Sequence, residues 1–356
     1  MKNLTLFLRV LVLLLTAALL FTIPAYGITK VGTTSMQVLK IQMDVRGIAM
    51  GNAMVASVYD AESVWSNPGA LTEMPTKTQA IISQINMPAN VQLNSAVVAR
   101  QLNDYSAVSL HAINLFTDDM IERTWDHPEG TGRKFNASDL ALGATYARKL
   151  TDRFSLGANV RYLRSALADA VFNGVAVDLG TLYRTSLRSL VLGMSIQNLG
   201  PNVRYSGTFL DYRNAVINGG NVLSADFQSA NLPALFRLGI AFEFFQMTGI
   251  HHDSAYTVWV SGEMNHPNDA RERVNLGAEG GYKNMFFIRA GGKFDYDEES
   301  WSAGFGLRIP VIDGYRVTFD YAYSYEGRLT QGVIGGDTGG DLIMGEPHRL
   351  ALGFQW

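Results

Sequence analysis

The 356-residue chain is 47% hydrophobic and 17% charged, with a formal charge of −3 at pH 7. That near-neutral balance excludes a nucleic-acid binder, which needs a basic face, and zero cysteines exclude disulfides, cysteine-ligated zinc and a thiol nucleophile. The 18 Phe, 15 Tyr and 5 Trp beside 10 Pro exclude a disordered chain, which lacks large apolar side chains.

The chain opens with Lys2 and Arg9, an apolar run from Val10 to Leu20, and Ala25-Tyr26-Gly27. A positive start, a short apolar stretch and a small-x-small site predict an export signal over residues 1–27, cleaved near Gly27. The run is short for an uncleaved membrane helix, which needs about 20 apolar residues. Without cysteine there is no lipoprotein anchor.

Residues 28–75 lack alternation. Gly47, Ala49, Gly51, Ala53 and Ala56 let backbone approach other groups closely. Asp60-Ala-Glu-Ser-Val-Trp65 predicts a short helix capped by Asp60, and Asn67-Pro68-Gly69 predicts a turn.

From about residue 79 the pattern has period two. Phe154, Leu156, Ala158, Val160 and Tyr162 share one face against Arg153, Ser155, Gly157, Asn159 and Arg161. Tyr315, Val317, Phe319, Tyr321, Tyr323 and Tyr325 oppose Arg316, Thr318, Asp320 and Ser324. Residues 236–244 and 273–283 repeat the pattern. Successive strand side chains point to opposite faces, so each run is a strand with one oily and one polar side. A soluble sandwich alternates too, but its strands run about 5–6 residues. These runs are about twice as long, and aromatic residues such as Phe154, Phe286, Phe294, Tyr315 and Tyr325 mark their ends, as in an outer-membrane barrel.

Fourteen strands are predicted: 79–87, 91–100, 104–113, 137–149, 153–165, 171–184, 189–198, 234–245, 255–265, 273–283, 285–294, 301–310, 314–325 and 346–356. The long connections 114–136, 199–233 and 326–345 all follow odd strands, so they share one rim, and the short turns share the other. Residues 246–254 are long for the short-turn rim. The fold class is therefore an all-β, transmembrane antiparallel barrel over residues 76–356, with residues 28–75 as a plug inside it. The last strand alternates to the carboxyl terminus, and Phe354 and Trp356 match the terminal signal read by the barrel-assembly machinery. Outer-membrane lipid is the other expected partner, and the outer membrane of a diderm bacterium the expected location.

Charges predicted to face the lumen are Arg161, Arg237, Glu243, Glu263, Arg273, Glu279, Arg289, Lys293, Arg308, Arg316 and Asp320. Both signs occur. They suit either ion pairs that hold the plug, with Arg46, Asp60 and Glu62 as partners, or plain solvation of a wet lumen. Enzymatic signals are poor. His251-His252-Asp253 reads as a solvated turn, and Ser109 and His111 share a strand face without an identifiable third group. No catalytic, cofactor or metal residue is expected.

The run from Arg46, Gly47 and Met50 through Gly51 to Ala53, then Asp60 to Leu71 with Trp65, Asn67 and Pro68, resembles the amino-terminal signature of PorV/PorQ proteins, in the FadL-like group of outer-membrane barrels. Leu192-Gly-Met-Ser-Ile-Gln-Asn-Leu-Gly-Pro201 resembles a recurring strand of that family. The resemblance implies a non-enzymatic fourteen-stranded barrel with its amino-terminal segment in the lumen. It further implies a role in type IX-like protein secretion, with a translocon, attachment-complex proteins or secreted cargo as partners. Many relatives read Asn-Pro-Ala where this chain has Gly69, which implies a looser turn. The alternative is a FadL-like passive transporter of a hydrophobic ligand, with Met43, Met50, Met54 and Trp65 lining a pocket or simply packing.

Overall fold

The computed structural model describes residues 32–57, 59–87, 91–124, 126–211, 223–297, 299–312, 314–326 and 348–356. The predicted signal at 1–27 and most of the connection after residue 326 lie outside them. Fourteen strands form a closed antiparallel barrel. They are β1 (Thr78–Met87), β2 (Val91–Asn103), β3 (Ser106–Phe116), β4 (Ala137–Thr151), β5 (Phe154–Leu167), β6 (Ala170–Arg184) and β7 (Val191–Leu199). The second half comprises β8 (Leu235–Glu243), β9 (Tyr256–Pro267), β10 (Arg273–Tyr282), β11 (Phe286–Phe294), β12 (Glu299–Ile312), β13 (Tyr315–Glu326) and β14 (His348–Gln355). Each strand pairs with its sequence neighbours, and β1 closes the ring on β14 from Gln79↔Gln355 to Ile85↔Arg349. Closure leaves no bare strand edge, which lipid would penalise by several kcal/mol per unpaired group.

The strands are inside-out relative to a soluble sheet. Ile288 is 72% and Leu110 69% exposed, whereas Glu279 is only 2% exposed. So wide an apolar surface aggregates in water and is at home in hydrocarbon. At the short-turn rim Tyr146, Tyr183, Tyr256, Tyr282, Phe286, Tyr315, Phe354 and Trp356 all face outward, and Phe294 and Trp301 do so at the other. Aromatic rings of this kind settle at the two membrane interfaces. No helix among the described residues is long and apolar enough to cross a membrane.

Strand ends moved by up to three residues. The predicted strand over 234–245 stops at Glu243, and Phe244–Thr248 forms a short helix, α2 in chain order. The Glu243 carboxylate accepts from the Gln246 N–H at 2.6 Å and the Val258 N–H at 3.1 Å, and Gly249 at φ 70° ends the helix. This helix accounts for the extra length of the 246–254 connection. Two small hairpins, Met120–Ile121 with Lys134–Phe135 and Thr208–Asp211 with Leu223–Asp226, decorate the long-loop rim.

Inside the ring lie the helix α1 (Val45–Ala49) and 3-10 turns at Gln37–Lys40, Ala61–Trp65 and Pro68–Glu73. α1 packs on β11 to β14, and the Pro68–Glu73 turn on β4, β5 and β6. Met43, Val45, Ile48, Met50, Met54 and Leu71 are fully buried, so the segment packs with the surrounding wall as a core.

Candidate functional site

The amino-terminal segment is held to the wall by three sets of contacts. Arg46 on α1 anchors the first. Its Nε donates to Glu279 at 2.8 Å and its Nη2 to the other Glu279 oxygen at 3.0 Å, while Nη1 donates to the Ser57 carbonyl at 3.0 Å. Tyr59 accepts from Arg46 at 2.9 Å and donates to Glu279 at 2.7 Å, and the guanidinium lies 4.2 Å from the Tyr59 ring centroid. Arg289 joins Glu279 at 2.7 Å and Asp320 at 2.5 Å. Two cations and two anions therefore balance in one buried chain, which is the condition under which buried charge is tolerated. Burial alone would lower the Arg46 pKa, but Glu279, Tyr59 and Asp60 together outweigh it and lift it well above the usual value.

The second set uses Glu263, whose Oε2 accepts from the Met54 and Val55 N–H groups at 2.8 Å each. Arg237 lies 3.6 Å from Glu263 Oε1 and donates to Gln42 at 3.3 Å. The third set explains the Gln197-Asn198 pair of the family-like strand. Gln197 Nε2 donates to the Trp65 and Ser66 carbonyls at 3.0 Å, and Ser195 Oγ to the Ser66 carbonyl at 2.7 Å. Asn198, at φ 60°, donates to the Pro233 carbonyl at 2.8 Å and takes a bond from Arg161, which also pairs with Asp178 at 2.6 Å.

Between these bonds runs a seam of bare backbone. A Cβ on Gly291 would lie 2.0 Å from the Gly51 nitrogen, and one on Gly180 would lie 2.2 Å from Asn67 Oδ1. Inward Gly157, Gly193, Gly239, Gly277 and Gly304 are similarly crowded by the segment. Strand glycines thus appear where the segment touches the wall, because no side chain fits there. Gly51 itself sits at φ 65° and Gly47 beneath Met54 and Asp44.

Asp60 caps the Ala61–Trp65 turn by accepting from the Glu62 N–H at 3.0 Å. Asn67 accepts from the Gly69 N–H at 3.0 Å and donates to the Val55 and Thr181 carbonyls, with Pro68 opening the next turn. The turn is not loosened by Gly69: a Cβ there would sit 2.6 Å from the Gly180 carbonyl oxygen, so glycine is what permits the contact. Trp65 meets His111 edge-on at 4.8 Å. The expectation that Asp60 and Glu62 pair with wall cations is not met, since neither forms an ion pair among the described residues. They lie with Asp44 in an acidic group, and burial first, then mutual repulsion, pushes Asp44 up to about 7 and Glu62 well upward.

Arg161, Arg237, Glu263, Glu279, Arg289 and Asp320 thus bond to the segment, to its supports or to one another. Glu243 faces inward but caps α2, and Arg316 lies inward near the short-turn rim opposite Gln355. Phe354 and Trp356 lie outward with ring centroids 5.3 Å apart. The cavity touching Met43 and Trp65 is only about 20 Å³, so these side chains are packing.

Sequence reasoning missed three participants. Tyr59 carries no motif signal. Asp269 at the long-loop rim holds Lys40 at 2.6 Å, far apart in sequence. The two described ends of the 199–233 connection fold back over the segment: Val203 and Leu232 are buried, and the Asn231 carbonyl accepts from the Ser35 N–H at 3.0 Å. No group of three His, Asp or Glu among the described residues is placed to hold a metal.

Residues 27–252 match the family described as "Type IX secretion system protein PorV". No curated protein matches the chain. Among solved structures, a Pseudomonas aeruginosa FadL homologue is similar over 92% of this chain and 98% of its own, at 13% identity and a TM-score of 0.52. The Ralstonia pickettii toluene transporter TbuX is similar over 88% and 97%, at 11% identity and 0.52. The CymD monoaromatic hydrocarbon channel is similar over 88% and 96%, at 12% identity and 0.57. At such identities the likeness is one of fold.

Proposed function

Because the chain belongs to the PorV family, with the match covering residues 27–252, we propose that it is a non-enzymatic component of type IX-like protein secretion in the outer membrane of a diderm bacterium. Residues 28–75 act as a plug that keeps the lumen shut, and the long connections that the sequence places on one rim, 114–136, 199–233 and 326–345, dock protein partners. The carrying observation is the balanced, buried bond chain from Tyr59 through Arg46, Glu279 and Arg289 to Asp320. A segment that slides aside for each solute has little use for charges whose separation in a dry site costs about 3–5 kcal/mol. Such charges suit a barrel that works through its rim.

Two measurements test this. Cross-linking and purification from outer membrane should recover translocon or attachment-complex proteins. A fatty acid or other hydrophobic molecule recovered without a protein partner would overturn the proposal and favour transport. In planar bilayers the intact protein should be nearly silent, and deletion of residues 28–66 should raise conductance. Equal conductance would dismiss the plug.

A further inference from the structure

At the short-turn mouth, on the opposite side of the segment from the long loops, lies a cavity of about 300 Å³. That is the lower end of small-molecule sites, about 300–1,000 Å³. Tyr59 and Ser57 of the segment meet Trp259, Phe287, Arg184 and Arg308 of the wall there. The Tyr59 and Trp259 ring centroids are 6.4 Å apart.

The two cations of this mouth differ. Arg184 bonds the Glu73 carboxylate, which also takes Lys149 at 3.2 Å. The Arg308 guanidinium donates to the neutral Asn284 amide at 3.2 Å and forms no ion pair among the described residues, although its charge also acts through space on buried Asp60. Its guanidinium carbon sits 4.4 Å from the Phe287 ring centroid and 5.7 Å from that of Tyr59. The rings fix the fork and shed water from it without neutralising it. A single oriented guanidinium takes one carboxylate through paired N–H donors, and the adjoining aromatic surface takes an apolar body.

We propose that this mouth is a binding site for a small monocarboxylate with an apolar or aromatic body, its carboxylate on Arg308 and its body against Tyr59, Trp259 and Phe287. One cation without an ion-pair partner among the described residues fits a monoanion, and the nearby acids Glu73 and Asp60 disfavour a second negative charge. The site is independent of what the long-loop rim docks.

Calorimetric titration of the full-length protein in detergent tests it, with 4-phenylbutyrate as probe and neutral 4-phenylbutanol as control. Arg308→Gln should weaken phenylbutyrate about tenfold or more and leave phenylbutanol unchanged, because a charge-assisted bond is lost. Arg308→Lys should recover part of the loss. Phe287→Ala keeps the cation, and should weaken both ligands. No phenylbutyrate binding to the unmodified protein at millimolar concentration would overturn the proposal, as would equal losses for acid and alcohol in Arg308→Gln.

Discussion

Arg46→Ala removes the group that ties the segment to the wall. Four hydrogen bonds go with it: two to Glu279, one to the Ser57 carbonyl and one to Tyr59. Breaking a buried ion pair costs about 3–5 kcal/mol because the remaining charge stays desolvated. Glu279 keeps Arg289 at 2.7 Å, which pulls the value toward the low end. The Ser57 carbonyl loses a buried donor, which adds about 1–3 kcal/mol. A total near 4 kcal/mol is expected, and it falls on docking of the segment because the fourteen-strand hydrogen-bond ring is untouched. Hydrogen exchange at residues 44–57 reads it directly: their opening free energy should drop by about 4 kcal/mol while amides of β4 and β5 stay protected. Adding Glu279→Gln should recover part of the loss, since an uncharged partner is then left behind. A drop below about 1 kcal/mol, the size seen for solvent-exposed pairs, would refute the reasoning.

Gly291→Val should let the barrel form, with its heat-dependent gel shift intact, but unseat the segment by about 1–3 kcal/mol or more and expose it to protease; an unchanged cleavage pattern would show that the seam has slack. Asp44 has its folded pKa raised from 3.8 to about 7, so its contribution to docking is complete below about pH 4 and lost as pH rises through about 7. Exchange at residues 44–63, corrected for intrinsic rates, should therefore show weaker protection at pH 8 than at pH 5, and Asp44→Asn should reduce the difference, Glu62 keeping part of it; a stronger hold at pH 8 would reverse the sign. Trp356→Ala should lower the yield of assembled barrel, because the outward aromatic end is lost, and an unaltered yield would remove Trp356 from any assembly signal.

The barrel was legible because lipid inverts the usual rule in a way that alternation records. Runs such as Phe154–Tyr162 put every second large side chain on the oily face, and the positions of the long loops fixed strand parity. The ends were less legible where local chemistry overrides the pattern. Phe244 extends the alternation of β8, yet the Glu243 carboxylate captures the Gln246 N–H and turns the chain into a helix. The motif residues Arg46, Asp60, Asn67 and Pro68 were visible as a family-like run, and the charges of β10, β11 and β13 as inward positions. Which of them meet depends on strand stagger and on contacts more than 200 residues apart, such as Arg46 with Glu279, and period-two reading carries no such information. Gly291 and Gly180 looked like ordinary strand glycines, and only the segment pressed against them gives them a purpose.

The segment's last turn ends at Glu73 and β1 starts at Thr78, so residues 74–77 are its whole leash, at most about 14 Å when fully drawn out. That leash is fastened at the short-turn rim, to the strand that zips the ring shut against β14. Anything grasping the folded segment from the long-loop side can draw it outward by no more than that leash, whereas toward the opposite side the same tether lets it swing clear as one body. Its exit has a direction built into it, and any pull along that path reaches the closing strand pair first.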